Sequence, residues 1–303
     1  MTNDEHVVLQ QLKDKLRLEG YVLNSFKDRG KHYLGIVNKD NKDFYVKLSK
    51  SKEQNQFLQN GAAFDQELIK LNPPFNLPVL IISGTLSDEY YYRVETKLEG
   101  TPYALLQDNL CMFQIERPEQ HFLQIYKLTE WLSEQKIVLP LGIFGQLNLQ
   151  NIINTMIDWG YNATPHLSDL LKIVKSSQIV IQKVTAHCDL TPSNIIVDNK
   201  GTLGLIDGDI AHTEAPRYYD VAEFYNRLWT RACRPDLAKQ FLKIVVENLQ
   251  DNKDNFYQHL LVILASRAVG NFWEVMSLKE NQEKRIKYLA SFADNVVDKD
   301  FFN

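Results

Sequence analysis

Two carboxylates and one amide set the chemistry this chain can do. They sit in His187-Cys188-Asp189-Leu190-Thr191-Pro192-Ser193-Asn194 and in Ile206-Asp207. Asn194 and Asp207 offer hard oxygen ligands of the kind magnesium prefers. Asp189, on the loop that leads to Asn194, is placed to accept or orient the proton of an incoming hydroxyl. Together they describe phosphoryl transfer by positioning and charge neutralisation rather than by covalent chemistry. The intervening residues supply the geometry. Ile195-Ile196-Val197 is an apolar β-branched run, Asp198-Asn199-Lys200-Gly201 is a turn, and Thr202-Leu203-Gly204-Leu205-Ile206 is a second apolar run, which predicts a hairpin. Its open ends bring Asn194 beside Asp207. An acid emerging from so apolar a strand is costly without a partner, and a metal ion would supply one.

Other positions complete or compete with this site. His187 reads as a loop buttress. Cys188 beside it suggests a Cys–His nucleophile, but neighbours in an extended segment point to opposite sides, so Cys188 is read as a small filler. Lys47 ends the apolar strand Phe44-Tyr45-Val46-Lys47-Leu48, and a buried lysine needs an anion. Nucleotide phosphates and a helix carboxylate would serve, with Glu67 the choice for the latter and Glu53 and Asp65 its rivals. The candidate phosphate loop, Ser25-Phe26-Lys27-Asp28-Arg29-Gly30-Lys31-His32, holds a single glycine; hairpin amides there would cradle phosphate, with Lys27 or Arg29 assisting. Asp209 would join the metal site or face a cationic substrate. Asp220 is expected to cap the helix that follows it and to brace the catalytic loop. Tyr218, Tyr219, Phe224, Tyr225 and Trp229 read first as core, and second as a cation–π pocket for an amine.

The elements that must position these groups fall into two parts. Helical spacing runs over Asp4–Leu18, followed by strands at Tyr21–Phe26, His32–Asn38 and Phe44–Leu48, a helix over Lys52–Leu71, and strands at Val79–Leu86 and Tyr90–Lys97. Beyond a connector near Glu95–Thr101, helical periodicity dominates: Ala104–Leu110, Pro118–Gln135, Leu167–Gln182, Val221–Arg231, Pro235–Leu249, Phe256–Ser277 and Glu280–Val297. This is an α+β, bilobal plan with a β-rich lobe over 1–97 and a mainly helical lobe over 98–303.

Composition bounds the partners. With 34 basic and 38 acidic residues the net charge is −4, which gives no electrostatic reason to expect nucleic acid. No polybasic tract or long apolar run points to a membrane. Three scattered cysteines and an acidic, non-signal N-terminus lead to the expectation of a soluble cytoplasmic protein.

His187-x-Asp189-x-x-x-x-Asn194 with Ile206-Asp207 resembles the protein-kinase-like superfamily. The wider frame is similar to its aminoglycoside phosphotransferase and choline kinase branch. Ala186 to Val197 resembles that branch's "HGDLHPGNIL" loop, Ile206-Asp207 followed by Asp220-Val221-Ala222 its "IDW…D-L-A" pattern, and Leu98-Glu99-Gly100 its segment after the interlobe hinge. No A-P-E element is present, unlike in protein kinases. The resemblance implies a protein-kinase-like fold and a kinase using ATP and Mg2+ on the hydroxyl of a small molecule such as an aminoglycoside, amino alcohol or sugar. The implied roles are base at Asp189, magnesium ligands at Asn194 and Asp207, phosphate lysine at Lys47, its paired acid at Glu67, and adenine contacts near Glu95–Lys97. The sequence departs from the pattern at Cys188 (usually glycine), at Gly208 (commonly aromatic) and in its glycine-poor phosphate loop. A catalytically silent kinase-like module and a protein kinase are the alternative readings.

Overall fold

A computed structural model describes residues 3–30, 32–87, 89–139, 149–160, 166–177, 181–277 and 283–299. Lys31 and Asp88 of two expected turns, and residues 178–180 and 280–282 of two expected helices, lie outside these. The chain opens with α1 (Asn3–Leu18), β1 (Val22–Asp28), β2 (His32–Lys39), β3 (Lys42–Ser49), α2 (Lys52–Ile69), β4 (Leu80–Leu86) and β5 (Tyr90–Thr96). The strands form one antiparallel sheet in the order β1-β2-β3-β5-β4. Period-2 alternation explains its core: Val37, Val46 and Val94 point to one face and pack with Leu12 and Leu16 of α1.

The helix α2 serves the other half of the molecule. Its buried Phe64 and Leu68 belong to the C-terminal core, together with Leu190, Leu205 and Ala211. Burying each such side chain contributes roughly 1.5–3 kcal/mol. The result fixes α2 against the segment after Asp207.

After the connector come β6 (Thr101–Pro102), β7 (Ala104–Gln107), β8 (Leu110–Phe113), α3 (Phe122–Glu134), α4 (Leu149–Gly160) and α5 (Leu167–Ser176). The helix expected over Ala104–Leu110 is instead the β7–β8 hairpin. Asp108 and Asn109 both adopt positive φ (48° and 61°), the geometry of a two-residue hairpin turn that acidic and amide side chains tolerate. The helix α4 was not expected from sequence, and α5 ends six residues before Gln182 because the chain turns toward a strand.

The remainder is β9 (Lys183–Ala186), β10 (Ile195–Val197), β11 (Leu203–Leu205), β12 (His212–Pro216), α6 (Tyr219–Thr230), α7 (Pro235–Asn248), α8 (Lys253–Ser277) and α9 (Glu283–Val297). The expected hairpin is β10–β11, with Ile195 opposite Leu205. A second antiparallel pair, β9–β12, brackets the catalytic loop and escaped the sequence reading because both strands are short. The helices pack around Phe122, Phe224, Phe241 and Phe256. The aromatic set at 218–229 is core: Phe224 and Tyr225 are fully buried, and the Tyr218 ring is already covered by Arg217 at 4.9 Å. Among the described residues, no helix is long and apolar enough to cross a membrane.

Candidate active site

The β10–β11 hairpin gathers the catalytic-loop groups. Asn194 donates its amide nitrogen to the Asp189 carbonyl (2.9 Å) and carboxylate (3.2 Å). The Asn194 carbonyl accepts from the backbone N–H of Ile206 at 3.0 Å, tying the loop to the residue before Asp207. His187 is buried, and its Nε2 bonds the Ile206 carbonyl at 3.0 Å. Burial lowers the His187 pKa, which favours the neutral ring. It is a buttress, as its position suggested.

Asp220 lies inside the first turn of α6, and Tyr218 is the residue at the helix start. Asp220 therefore does not cap its own helix. Its two carboxylate oxygens accept the backbone N–H groups of His187 and Cys188, each at 2.8 Å. Those bonds hold Cys188 in an unusual conformation, with φ of 63°; Asp207 and Tyr218 share it at 68° and 66°. A non-glycine residue there costs on the order of 1–3 kcal/mol, a cost that surrounding structure must offset. The αL geometry at Cys188 is the physical reason a glycine suits that position. Burial raises the Cys188 thiol well above its usual pKa, so it is not a thiolate nucleophile.

The N-terminal sheet delivers its cation to the same place. Lys47 Nζ bonds Asp207 Oδ1 at 2.9 Å and lies 3.6 Å from Glu95 Oε1. Burial works against the Lys47 ammonium, but Asp207, Asp209 and Glu95 outweigh it and hold its pKa above the usual range. Burial would likewise raise the Asp207 pKa, yet Lys47 keeps it well below the usual carboxylate value. At Asp189 burial outweighs the pull of Arg227 and Arg231 and raises the pKa to about 6, a fitting value for a group that must take a proton.

Three expected assignments change. Glu67 is not the partner of Lys47: it lies on the exposed side of α2 and pairs with Lys70 at 2.5 Å. The helix acid on the buried side is Asp65, whose Oδ1 has no hydrogen-bond partner and whose pKa burial raises well above normal. Within the N-terminal sheet and α2, the carboxylate beside Lys47 is that of Glu95 on the neighbouring strand, at 3.6 Å. Glu95 was expected to offer backbone to adenine, but it lies between β3 and β4 in the sheet, opposite Tyr45 and Leu80, and its side chain spans Lys47 and Arg93. Asp209 lines a cavity with Asp189 and Asp207, but one of its oxygens is taken. Its Oδ1 accepts from Arg93 Nη2 at 3.1 Å.

Arg93 was missed by the sequence reading. It is fully buried on β5, with Nη1 donating to the Leu58 carbonyl at 2.9 Å and Nε 2.9 Å from Glu95. Lys47 and Arg93 are register partners, so two cations on one sheet face hold two acids from the opposite side of the cleft. Gly208 has a related explanation. A Cβ there would lie 2.5 Å from the Phe64 ring, and that ring packs edge-on against His187 at 5.9 Å. Phe64 of α2 thus occupies the space that a side chain at position 208 would need.

The described residues fit a hard cation. Asp207 is open to the cleft with Oδ1 engaged by Lys47, and Asn194 turns its nitrogen toward Asp189, which leaves the carbonyl oxygen of the amide as a ligand. No cluster of three or more acidic, histidine or cysteine ligands occurs among the described residues, so remaining ligands would come from solvent or phosphate. Between the two halves is a cavity of about 570 Å³ lined by Asn76, Leu77, Lys97, Leu98, Ile196 and Gly204, among others. Lys97 is half-exposed there, 4.0 Å from Asp43. At the phosphate-loop position the Asp28 carboxylate accepts the Gly30 N–H at 2.7 Å and pairs with Lys50 at 2.6 Å.

The antiparallel N-terminal sheet, the helical C-terminal region and the cleft between them define a protein-kinase-like fold. Solved structures share it over nearly the whole chain. A thermostable mutant of aminoglycoside phosphotransferase APH(4)-Ia aligns at TM-score 0.68 with 14% identity, covering 96% of this chain and 98% of that one. Amicoumacin kinase hAmiN, solved with AMP-PNP, Ca2+ and Ami, aligns at 0.63 with 12% identity and coverage of 98% and 94%. Choline kinase LicA from Streptococcus pneumoniae aligns at 0.60 with 14% identity and coverage of 98% and 100%. No family model matches the sequence, and no curated protein matches it either.

Proposed function

We propose that this chain is a phosphotransferase that uses ATP and Mg2+ to phosphorylate a hydroxyl of a small molecule, with a nucleotide-binding lobe over 1–97 and a catalytic and acceptor lobe over 98–303. The observation that carries this reading is the Lys47–Asp207 contact at 2.9 Å, made from opposite sides of the cleft beside the Asp189–Asn194 pair. Lys47 is assigned to the nucleotide phosphates, Asn194 and Asp207 to the cation, and Lys97 with its neighbours to the adenine cavity. Bound magnesium would neutralise the phosphate charge. Asp189 orients the acceptor hydroxyl and takes its proton as the oxygen bonds to the γ-phosphorus; the bond from that phosphorus to the ADP oxygen breaks, and ADP leaves. Fold neighbours that are small-molecule kinases, one of them bound to a nucleotide analogue and a divalent cation, support the class.

Magnesium-dependent thermal stabilisation by millimolar ATP, together with ADP release when alcohols are added, tests the proposal. Asp189→Ala should abolish turnover and keep the stabilisation. Turnover retained in that variant would overturn the assignment of the base. Absence of any ATP effect would favour the silent module, to which the glycine-poor, Asp28-closed loop already points.

A further inference from the structure

The face of the C-terminal region behind Asp189 is built from arginine. Glu223 and Arg227 of α6 pair at 2.6 Å, and Arg267 of α8 reaches the second Glu223 oxygen at 2.8 Å. Glu274 of α8 receives three more guanidinium contacts: Arg227 at 3.3 Å, Arg231 at 2.5 Å and Arg285 of α9 at 2.9 Å. Four cations thus share two carboxylates. The excess shows in the hydrogen bonding, since Arg285 is 1% exposed while its Nε and Nη1 have no partner, and the buried Arg231 Nε has none either. Burial and the neighbouring Arg227 and Arg285 also hold the Arg231 pKa below its usual value.

This cluster borders the acceptor side of the site. Arg227 and Arg231 are the basic groups that act electrostatically on Asp189. Arg267 lines a cavity of about 110 Å³ with Cys188, Tyr219, Ile152, Thr155 and Trp159, and Cys188 is the residue before Asp189. Trp159 stacks on Trp273 at 5.9 Å, and Trp273 is 49% exposed. The nearby acids are committed: Glu223 and Glu274 to arginine, Asp220 to the loop amides, Asp209 to Arg93. Among the described residues lining this cavity Arg267 is the charged group, and no carboxylate lines it.

We infer that the acceptor is an alcohol bearing an anionic group, a carboxylate or phosphate, on an apolar or aromatic body, held by Arg267 with the body against Trp159 and Tyr219. This rests on the phosphotransferase reading above and names its substrate class. Recognition by a guanidinium fork suits either anion; the apolar wall suits the body.

Binding is tested on the full chain with MgADP present, by thermal shift with phenyl phosphate, benzoate, benzylamine and kanamycin as probes. Phenyl phosphate or benzoate should give saturable stabilisation; whichever is stronger identifies the anion. Benzylamine and kanamycin should give none. Arg267→Gln and Arg267→Ala should each weaken the anion at least 10-fold while MgADP stabilisation stays unchanged, which also reports that the variants fold. Preference for the amines, absence of anion binding, or equal anion binding by both variants and the parent overturns the inference. Failure of the phosphotransferase reading looks different: MgADP and MgATP themselves would not stabilise the protein.

Discussion

Replacing Gly61 with alanine pits two effects of opposite sign. Gly61 lies inside α2, where alanine is better than glycine by about 1 kcal/mol. An exposed site would therefore gain stability. Here the added Cβ would overlap Asp209 Oδ1, approach Arg93 Nη1 to 2.7 Å and the Asp209 Cα to 3.2 Å. Asp209 cannot swing away freely, because Arg93 holds it at 3.1 Å and Asn60 bonds the Asp209 and Ala211 carbonyls at 3.3 and 2.9 Å. Overpacking costs roughly 1–3 kcal/mol, and breaking the buried Arg93–Asp209 pair outright would cost about 3–5 kcal/mol. With the helix gain subtracted, Gly61→Ala should lose between about 0 and 2 kcal/mol if the pair survives and about 2–4 kcal/mol if it breaks. Thermal unfolding of the parent, Gly61→Ala, Asp209→Ala and the double variant checks this. Shortening Asp209 removes the worst overlap and leaves the Arg93 Nη1 approach at 2.7 Å, so Gly61→Ala should cost less in the Asp209→Ala background than in the parent. A raised Tm for Gly61→Ala alone would refute the reasoning, because it would mean that α2 and the turn after Asp207 are not clamped together. A larger KM for MgATP should accompany the loss, since Asp207 rides on the same turn.

Asp189, with its pKa raised by burial to about 6, works ionised, so kcat/KM should rise with pH and level off above about 6; in Asp189→Asn that acid limb should vanish with the activity. The linked stability has the opposite sense: a carboxyl whose folded pKa is raised stabilises the fold most below its unfolded value and loses that contribution as pH rises through about 6. Glu95→Gln, which removes the carboxylate shared by two buried cations, should cost about 1–3 kcal/mol and impair turnover, whereas Glu67→Gln should stay within about 0.5 kcal/mol of the parent; equal effects in denaturation and ADP-release assays would undo the assignment of Glu95. Asp220→Ala strands two buried N–H groups at the catalytic loop and should cost about 2–4 kcal/mol, with kcat falling more than the KM for nucleotide because Asp189 is the next residue along.

The chain's local signals determined a good deal. Period-2 and helical spacing placed nearly every strand and helix of the first hundred residues, and the β-branched runs flanking Asp198–Gly201 placed the hairpin that joins Asp189, Asn194 and Asp207. Such features depend on nearest neighbours, so sequence displays them. It failed where two short strands pair across a loop, as in β9 and β12, and where an isolated Asp108-Asn109 turn overrode an apparent helical rhythm. Partner choice was the harder question. Sequence led to Glu67 over Glu53 and Asp65 as the partner of Lys47; packing turned Glu67 toward Lys70 and put Glu95 of the adjacent strand within 3.6 Å. Arg93 gave no signal at all, because a lone arginine in an apolar strand acquires meaning only when Asp209, 116 residues away, is brought to it. The same holds for the four arginines behind Asp189, drawn from three helices. Sequence by itself determined which groups can do chemistry and which segments carry them; the tertiary structure decided which opposite charges meet in the low-dielectric interior, where an unmatched one is too costly to keep.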